Sequence, residues 1–177
     1  MSMEERKFVL AVDLNDRPIK KIEKLSAHKK AILHRAFSVF LLSGNKILIQ
    51  RRAKTKYHSP SLWANACCSH PLSEDIISEA KTRLSQELGI EGEVDLKEAF
   101  SFIYFSKLGT LFEYEFDHVL VGQYSGKIKL NPSEADKFRW VEIEKLEKEL
   151  VRCPKKFAPW FLICAPKLIK KLANCEL

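Results

Sequence analysis

The chain has 177 residues, of which 46% are apolar and 30% are charged, and its formal net charge is +7. This length allows one domain with a proper core, and the mixture of apolar and charged residues excludes a disordered protein. The short apolar run Phe8–Val12 is too brief for a secretory signal, and no run approaches the length of a membrane span. We therefore expect one domain over residues 1–177, located in the cytoplasm and not bound to a membrane.

The cysteines and the net charge restrict the compartment and the partner. The chain has five cysteines, Cys67 and Cys68 are adjacent, and the other three show no regular spacing. Reduced thiols are therefore expected rather than a disulfide framework. The positive charge indicates an anionic partner, which nucleic acid, a membrane surface or a small phosphorylated molecule would each satisfy.

The first half of the chain consists mainly of strand-like runs separated by turn residues. These runs are Phe8–Leu14, Ile19–Ile22, His34–Leu42 and Lys46–Arg51. The last two are predicted to form a hairpin around Ser43–Asn45. Ser26–Ala31 is too polar and irregular to assign, Ala53–Leu62 is a predicted loop, and Trp63–Ser69 is a predicted short strand.

The second half begins with a predicted helix at about Ser73–Leu88, which has acidic residues in its first turn and Gly89 as its stop. The remaining runs with strand or helix patterns follow it in the chain. Strands are predicted at Val94–Phe105, Leu111–Tyr124, Lys127–Leu130 and Lys137–Ile143, and helices at Glu142–Leu150 and at Trp160–Leu172, the latter interrupted by Pro166. Together these elements predict one mixed α/β domain.

Three acidic residues alternate along one predicted strand. Glu113, Glu115 and Asp117 lie on one face of it, because successive side chains of a strand point to opposite sides. Three carboxylates on one face repel one another unless a positive charge lies among them. Both a solvated acidic face and a strand that enters the core are compatible with this pattern.

Three histidines are candidate metal ligands because of their positions in the chain. His28 and His34 flank the start of a predicted strand, and His70 ends the segment that carries the two adjacent cysteines. Imidazoles and carboxylates together suit zinc, manganese or magnesium.

Four segments resemble the motifs of the type I isopentenyl-diphosphate isomerases. Asn65–Pro71 is similar to the cysteine motif, His34–Ser38 to the histidine strand, Glu113–Asp117 to the paired-glutamate strand and Phe157–Phe161 to the late tryptophan motif. They occur in the family's order, and the resemblance runs from about residue 9 to residue 160. It implies a single Nudix-type α/β/α sandwich with a mixed sheet and a Nudix core at roughly residues 32–165. It also implies the interconversion of isopentenyl and dimethylallyl diphosphates.

The resemblance further implies two metal sites. One divalent ion, which would be manganese, zinc or magnesium, would be bound by His28, His34, His70, Glu113 and Glu115. A second ion, magnesium, would be bound by Glu87 together with the substrate's diphosphate, whereas without the resemblance Glu87 could equally be a solvated helix residue. Two further histidines, His58 and His118, are expected not to be ligands, and His58-Ser59-Pro60 replaces a more hydrophobic pair that the family has before the usual proline.

The remaining roles implied by the resemblance concern proton transfer and substrate binding. Cys68 and Glu115 would act as acid and base, Tyr104 would lie beside Glu115, and Trp160 would face a carbocation. The diphosphate would be bound by Lys24, Arg52, Lys56 and Arg83. The expected partner is thus a small allylic or homoallylic diphosphate rather than nucleic acid, and the expected assembly is a monomer or a weak dimer.

Three alternatives compete with this interpretation. A Nudix pyrophosphohydrolase would carry Arg-Glu-x-x-Glu-Glu on its helix, but Thr82–Glu87 contains one glutamate and has Arg83 at a ligand position. A basic nucleic-acid-binding module agrees with the charge, but no recognised motif is present. A closed structural zinc site would combine Cys68 with the three histidines.

Overall fold

The computed structural model of the chain describes residues 7–56 and 58–176. Its strands are β1 Phe8–Val12, β2 Pro18–Glu23, β3 His34–Ser43, β4 Lys46–Arg52, β5 Trp63–Ala64, β6 Cys67–Ser69, β7 Leu96–Leu108, β8 Leu111–Gln123 and β9 Ala135–Glu142. Its helices are α1 Lys24–Lys30, α2 Ile76–Leu88, α3 Ile143–Arg152 and α4 Pro159–Ala173, with a 3₁₀ helix at Pro154–Lys156. The expected domain over residues 1–177 includes residues 1–6, 57 and 177, which lie outside the described residues.

Strand β3 is the centre of a mixed sheet. It runs parallel to β8, from His34 opposite Glu115 to Leu42 opposite Gln123. Along its other edge it pairs antiparallel with β1, β6 and β4 in turn, while β7 pairs with β8 and β9 pairs with β4. Apart from its last residue β3 is buried throughout, as expected of a strand that is covered on both faces.

The two faces of the sheet are covered by different helices. Leu84 and Leu88 of α2 pack on one face in a core that includes Leu120. Phe161 of α4 and Leu146 of α3 pack on the other face. The predicted α/β class and α/β/α sandwich are therefore confirmed.

Helix α1 occupies a segment whose sequence pattern predicts neither a helix nor a strand. The Glu23 side chain caps it by accepting hydrogen bonds from the backbone N–H groups of Leu25 at 3.0 Å and Ser26 at 2.6 Å. The helix ends at Ala31, which adopts a left-handed conformation with φ of 50°. Neither end carries the Ser, Asp or Gly residues that usually mark a helix boundary, so the local sequence gave little signal.

The strand predicted at Lys127–Leu130 is wrong. This segment instead packs against the end of α2, where the N–H groups of Lys129 and Asn131 donate to the carbonyls of Leu88 and Glu87, both at 2.8 Å. A β-carbon on Gly89 would lie 2.9 Å from Lys129, so this close approach requires glycine, as does the φ of 59°.

Two further predictions need correction. Trp63–Ser69 is not one strand, because β5 pairs with β4 whereas β6 pairs with β3. Pro166 does not interrupt α4, because buried residues on both sides of it, Ala165 and Leu168, anchor the helix to the core. No helix in the described part of the chain has both the length and the apolarity needed to cross a bilayer.

Candidate active site

Three imidazoles and a carboxylate meet at the parallel pairing of β3 and β8. His34 begins β3 directly opposite Glu115 of β8, His28 comes from α1, and His70 follows β6. One ligand atom from each of these four residues lies within 4.8 Å of the other three. The structure thus brings together four of the five predicted ligands of the first metal site.

Backbone carbonyls fix the orientation of two of these rings. Nδ1 of His28 lies 2.7 Å from the carbonyl oxygen of Lys24, and Nδ1 of His34 lies 2.7 Å from that of Ile32. A carbonyl only accepts, so Nδ1 carries the proton in both rings, which leaves the Nε2 lone pair for a metal. Nε2 of His34 is buried, has no hydrogen-bond partner among the described residues, and lies 3.6 Å from Oε1 of Glu115.

The ionisation of the cluster also suits a cation. Burial lowers the pKa of His28 and takes that of His70 well below its usual value, which keeps both imidazoles neutral. Burial alone would raise the pKa of Glu115, but the nearby His34 ring and the hydrogen bond with His70 at 2.9 Å outweigh burial and hold that pKa well below the usual value. Neutral imidazoles with an ionised carboxylate are the protonation states that metal binding requires. Together with the orphaned Nε2 of His34, they fit a divalent ion such as zinc or manganese.

Glu113 lies beside this group rather than within it. The Tyr104 hydroxyl donates to Glu115 at 2.6 Å and lies 3.2 Å from Glu113, and Nδ1 of His58 lies 3.3 Å from Oε1 of Glu113. Burial and the neighbouring Glu115 raise the pKa of Glu113 to about 8. Its role as a fifth ligand stays a prediction.

The acidic face of β8 is not solvated. Glu113, Glu115 and Asp117 are 2%, 7% and 1% exposed. The strand enters the core, and its carboxylates are matched by histidine, tyrosine and serine groups.

The two adjacent cysteines point in opposite directions. Cys67 is fully buried in the core beneath α2, whereas Cys68 lines a cavity that also contains His70 and Glu115. Burial, followed by the charge of Asp117, raises the pKa of the Cys68 thiol to about 12, so this group is protonated at neutral pH.

Asn65 holds two groups of the cavity in place, a role that the sequence did not predict. Its Oδ1 accepts from the Cys68 thiol and from Nε1 of Trp160, both at 3.1 Å. Its Nδ2 donates to the carbonyls of Val39 at 3.1 Å and Cys67 at 2.7 Å. All four hydrogen-bonding positions of this buried amide are used. Its position in the cysteine motif was the one feature of the sequence that could have indicated this role.

The four predicted diphosphate-binding residues converge on the same cavity, which encloses about 170 Å³. They are Lys24, Arg52, Lys56 and Arg83. Burial lowers the pKa of Lys24 to about 8. The Arg52 guanidinium lies 5.2 Å from the Trp160 ring centroid.

Glu87 lies at this cationic end of the cavity. It is 3% exposed, forms an ion pair with Arg83, and accepts from Gln50 at 3.3 Å. Burial raises its pKa, and Arg83 opposes that shift. A solvated helix face is therefore excluded. Glu134, which pairs with Lys56 and lies 3.5 Å from Arg83, also lines the cavity and was not predicted.

The two histidines that were predicted not to be ligands differ in position. His118 lies outside the cavity, between Glu98 and Asp16, each at 3.0 Å. His58 lines the cavity, edge-on to Trp160 with 5.8 Å between ring centroids. Neither belongs to the four-residue ligand group.

Comparison with known proteins identifies the family. The NUDIX domain family matches residues 32–161. Isopentenyl-diphosphate Delta-isomerase 2 of Aromatoleum aromaticum is 42% identical over 164 residues, which cover 91% of this chain and 86% of that protein. The isopentenyl-diphosphate Delta-isomerase of Serratia proteamaculans is 41% identical over 158 residues, which cover 88% and 87%.

Among solved structures, DR0079 from Deinococcus radiodurans has the same fold, with a TM-score of 0.73 at 16% identity over 90% of this chain and 98% of that one. The MutT protein of Methanosarcina mazei matches with a TM-score of 0.61 at 14% identity over 80% and 95%. These two likenesses concern the fold alone, whereas the two sequence relatives extend over nearly the whole chain. The chain belongs to the isopentenyl-diphosphate Delta-isomerases of the Nudix family.

Proposed function

We propose that this enzyme interconverts isopentenyl and dimethylallyl diphosphates. The observation that carries the proposal is one cavity that joins a protonated thiol, a histidine–carboxylate cluster and four cationic side chains. The relatives' names describe the same isomerase. A small diphosphate with a short hydrocarbon would place its diphosphate against the cationic side chains and its hydrocarbon beside Cys68 and Trp160.

The reaction requires an acid and a base, because an alkene is a poor base. Protonation gives a tertiary carbocation, and removal of a different proton gives the shifted double bond. Cys68 and Glu115 are the proposed proton-transfer groups, and the Tyr104 hydroxyl holds Glu115 by a hydrogen bond of 2.6 Å. Trp160, whose N–H is held by Asn65, would present its ring to the carbocation.

The proposed metal ligands are His28, His34, His70 and Glu115, with Glu113 as the fifth. The bound ion, which would be manganese, zinc or magnesium, would supply positive charge that keeps the neighbouring carboxylates ionised. Glu87 would bind a second ion, magnesium, together with the diphosphate. Lys24, Arg52, Lys56 and Arg83 would bind the diphosphate oxygens directly.

The site disfavours two of the alternatives. The hydrolase motif places several glutamates on this helix, whereas α2 has one buried glutamate, Glu87, and it is paired with Arg83. For a closed zinc site, Cys68 would have to join the histidines, but its thiol donates to Asn65 and is absent from the four-residue ligand group. The five free cysteines support a cytoplasmic location.

The test is to incubate purified protein with labelled isopentenyl diphosphate and manganese or magnesium. Labelled dimethylallyl diphosphate is expected from the wild type and not from Cys68→Ala. Release of phosphate from nucleoside diphosphate derivatives without isomerisation would instead indicate a hydrolase. Salt-sensitive retention on nucleic acid without isomerisation would indicate a binding module. Sedimentation of the same preparation is expected to give a monomer or a weak dimer.

A further inference from the structure

A second, more open groove adjoins the reaction cavity. Its lining is mostly apolar, with Pro60, Leu62, Leu108, Phe157 and Leu162. Among the described residues that line the cavity and the groove, His58 is the one common to both. His58 therefore lies where the two spaces meet.

Several contacts hold His58 in this position. Its side chain is 10% exposed, and Nδ1 lies 3.3 Å from Oε1 of Glu113. Nε2 lies 3.5 Å from Nη2 of Arg52, and the Arg52 guanidinium also donates to the His58 carbonyl at 3.3 and 3.4 Å. Its edge meets the Trp160 ring. Because the ring lies against Glu113, Arg52 and Trp160 and is little exposed, it forms part of the wall of the cavity.

We propose that His58 sets the length of hydrocarbon that the enzyme accepts, by closing the cavity beside Trp160 and separating it from the apolar groove. The proposal rests on the proposed function, in which Trp160 faces the five-carbon unit. Removal of the imidazole would join the groove to the cavity, so that the tail of a longer allylic diphosphate could enter the groove.

The groove suits a hydrocarbon tail in particular. Among the described residues, its lining contains no carboxylate and one charged residue, Lys155. A peptide in the groove would need partners for its backbone N–H and C=O groups, whereas a hydrocarbon needs none. Burying each additional methylene group improves affinity by about fourfold, so even partial burial of a longer tail gives a measurable gain.

The experiment compares the binding of dimethylallyl diphosphate with that of a ten-carbon allylic diphosphate by calorimetry. The wild type is expected to prefer the five-carbon ligand. His58→Ala should improve ten-carbon affinity relative to five-carbon affinity by about tenfold or more. His58→Phe, which refills the space, should keep the wild-type ratio.

A second substitution tests where the tail lies. Leu162→Gln makes the groove polar at a residue outside the reaction cavity, and in the His58→Ala background it should remove most of the gain. An unchanged ratio in folded His58→Ala, or a gain that persists with Leu162→Gln, would overturn the proposal. If His58→Ala does not fold, the same binding ratio is measured for His58→Ser, and the same outcomes apply.

The proposed function is tested separately. Wild-type protein that fails to isomerise isopentenyl diphosphate would refute the proposed function, whereas the binding ratio decides the role of His58. Equal wild-type affinity for both ligands would refute the role of His58 even in an active isomerase.

Discussion

Two neighbouring cysteines should respond oppositely to substitution. Cys67 is fully buried in the core beneath α2, so Cys67→Val is a near-isosteric change that should cost at most about 1.5 kcal/mol of stability and leave turnover intact. Cys68→Ala removes the thiol proposed to transfer a proton and should abolish most turnover.

The stability cost of Cys68→Ala should nevertheless be small. The Cys68 thiol donates to Oδ1 of Asn65, which would still accept a hydrogen bond from the N–H of Trp160. The Ser38 hydroxyl lies 3.6 Å from the thiol and would still donate to Asp117 at 2.8 Å. No partner is left unsatisfied, so the cost should be about 1 kcal/mol.

Isomerase assays of both variants, alongside urea unfolding followed by circular dichroism, separate the two effects. Cys67→Val at wild-type turnover and Cys68→Ala as a folded, inactive protein are the expected results. An inactive but folded Cys67→Val, with an active Cys68→Ala, would show that the side-chain alternation along β6 does not identify the catalytic thiol.

The remaining predictions concern the metal, the diphosphate and the carbocation. Thorough chelation should abolish isomerisation, and manganese, zinc or magnesium should restore part of it; full turnover in verified metal-free protein would contradict the ligand assignment. Arg83→Ala and Glu87→Gln should each raise KM with the fold retained, whereas Lys81→Ala on the exposed side of α2 should not; unchanged kinetics in both would exclude this face from substrate binding. Trp160→Ala should reduce kcat more than Trp160→Phe, because both lose the hydrogen bond to Asn65 but phenylalanine keeps a π-face; equal losses would favour a packing role.

Alternation and position in the motifs predicted most of the residues that the structure brings together at the cavity. The period of two in a strand correctly placed Glu113, Glu115 and Asp117 on one face. This regularity holds wherever a strand is straight, which is why the acidic face of β8 was predictable.

What the sequence missed depends on contacts between distant segments. Helix α1 is short, so its stability comes from packing rather than from propensity. Asn65 and Glu134 gain their roles from partners far along the chain, Trp160 and Arg83. His58 reaches the cavity from a segment that was predicted to be a loop, and a local pattern carries no information about where a loop side chain points.

The parallel pairing of β3 with β8 also has a consequence for how the protein folds. His34 and Glu115 are distant in the chain, and they become neighbours once these two strands have paired in the correct register. A slip of one residue would replace Glu115 by Tyr114 or Phe116 at the histidines. Parallel pairing between distant strands is a slow, late step in folding. The histidine cluster should therefore gain its affinity for a metal as folding is completed, so that the ion selects against the misregistered chain and stabilises the native one.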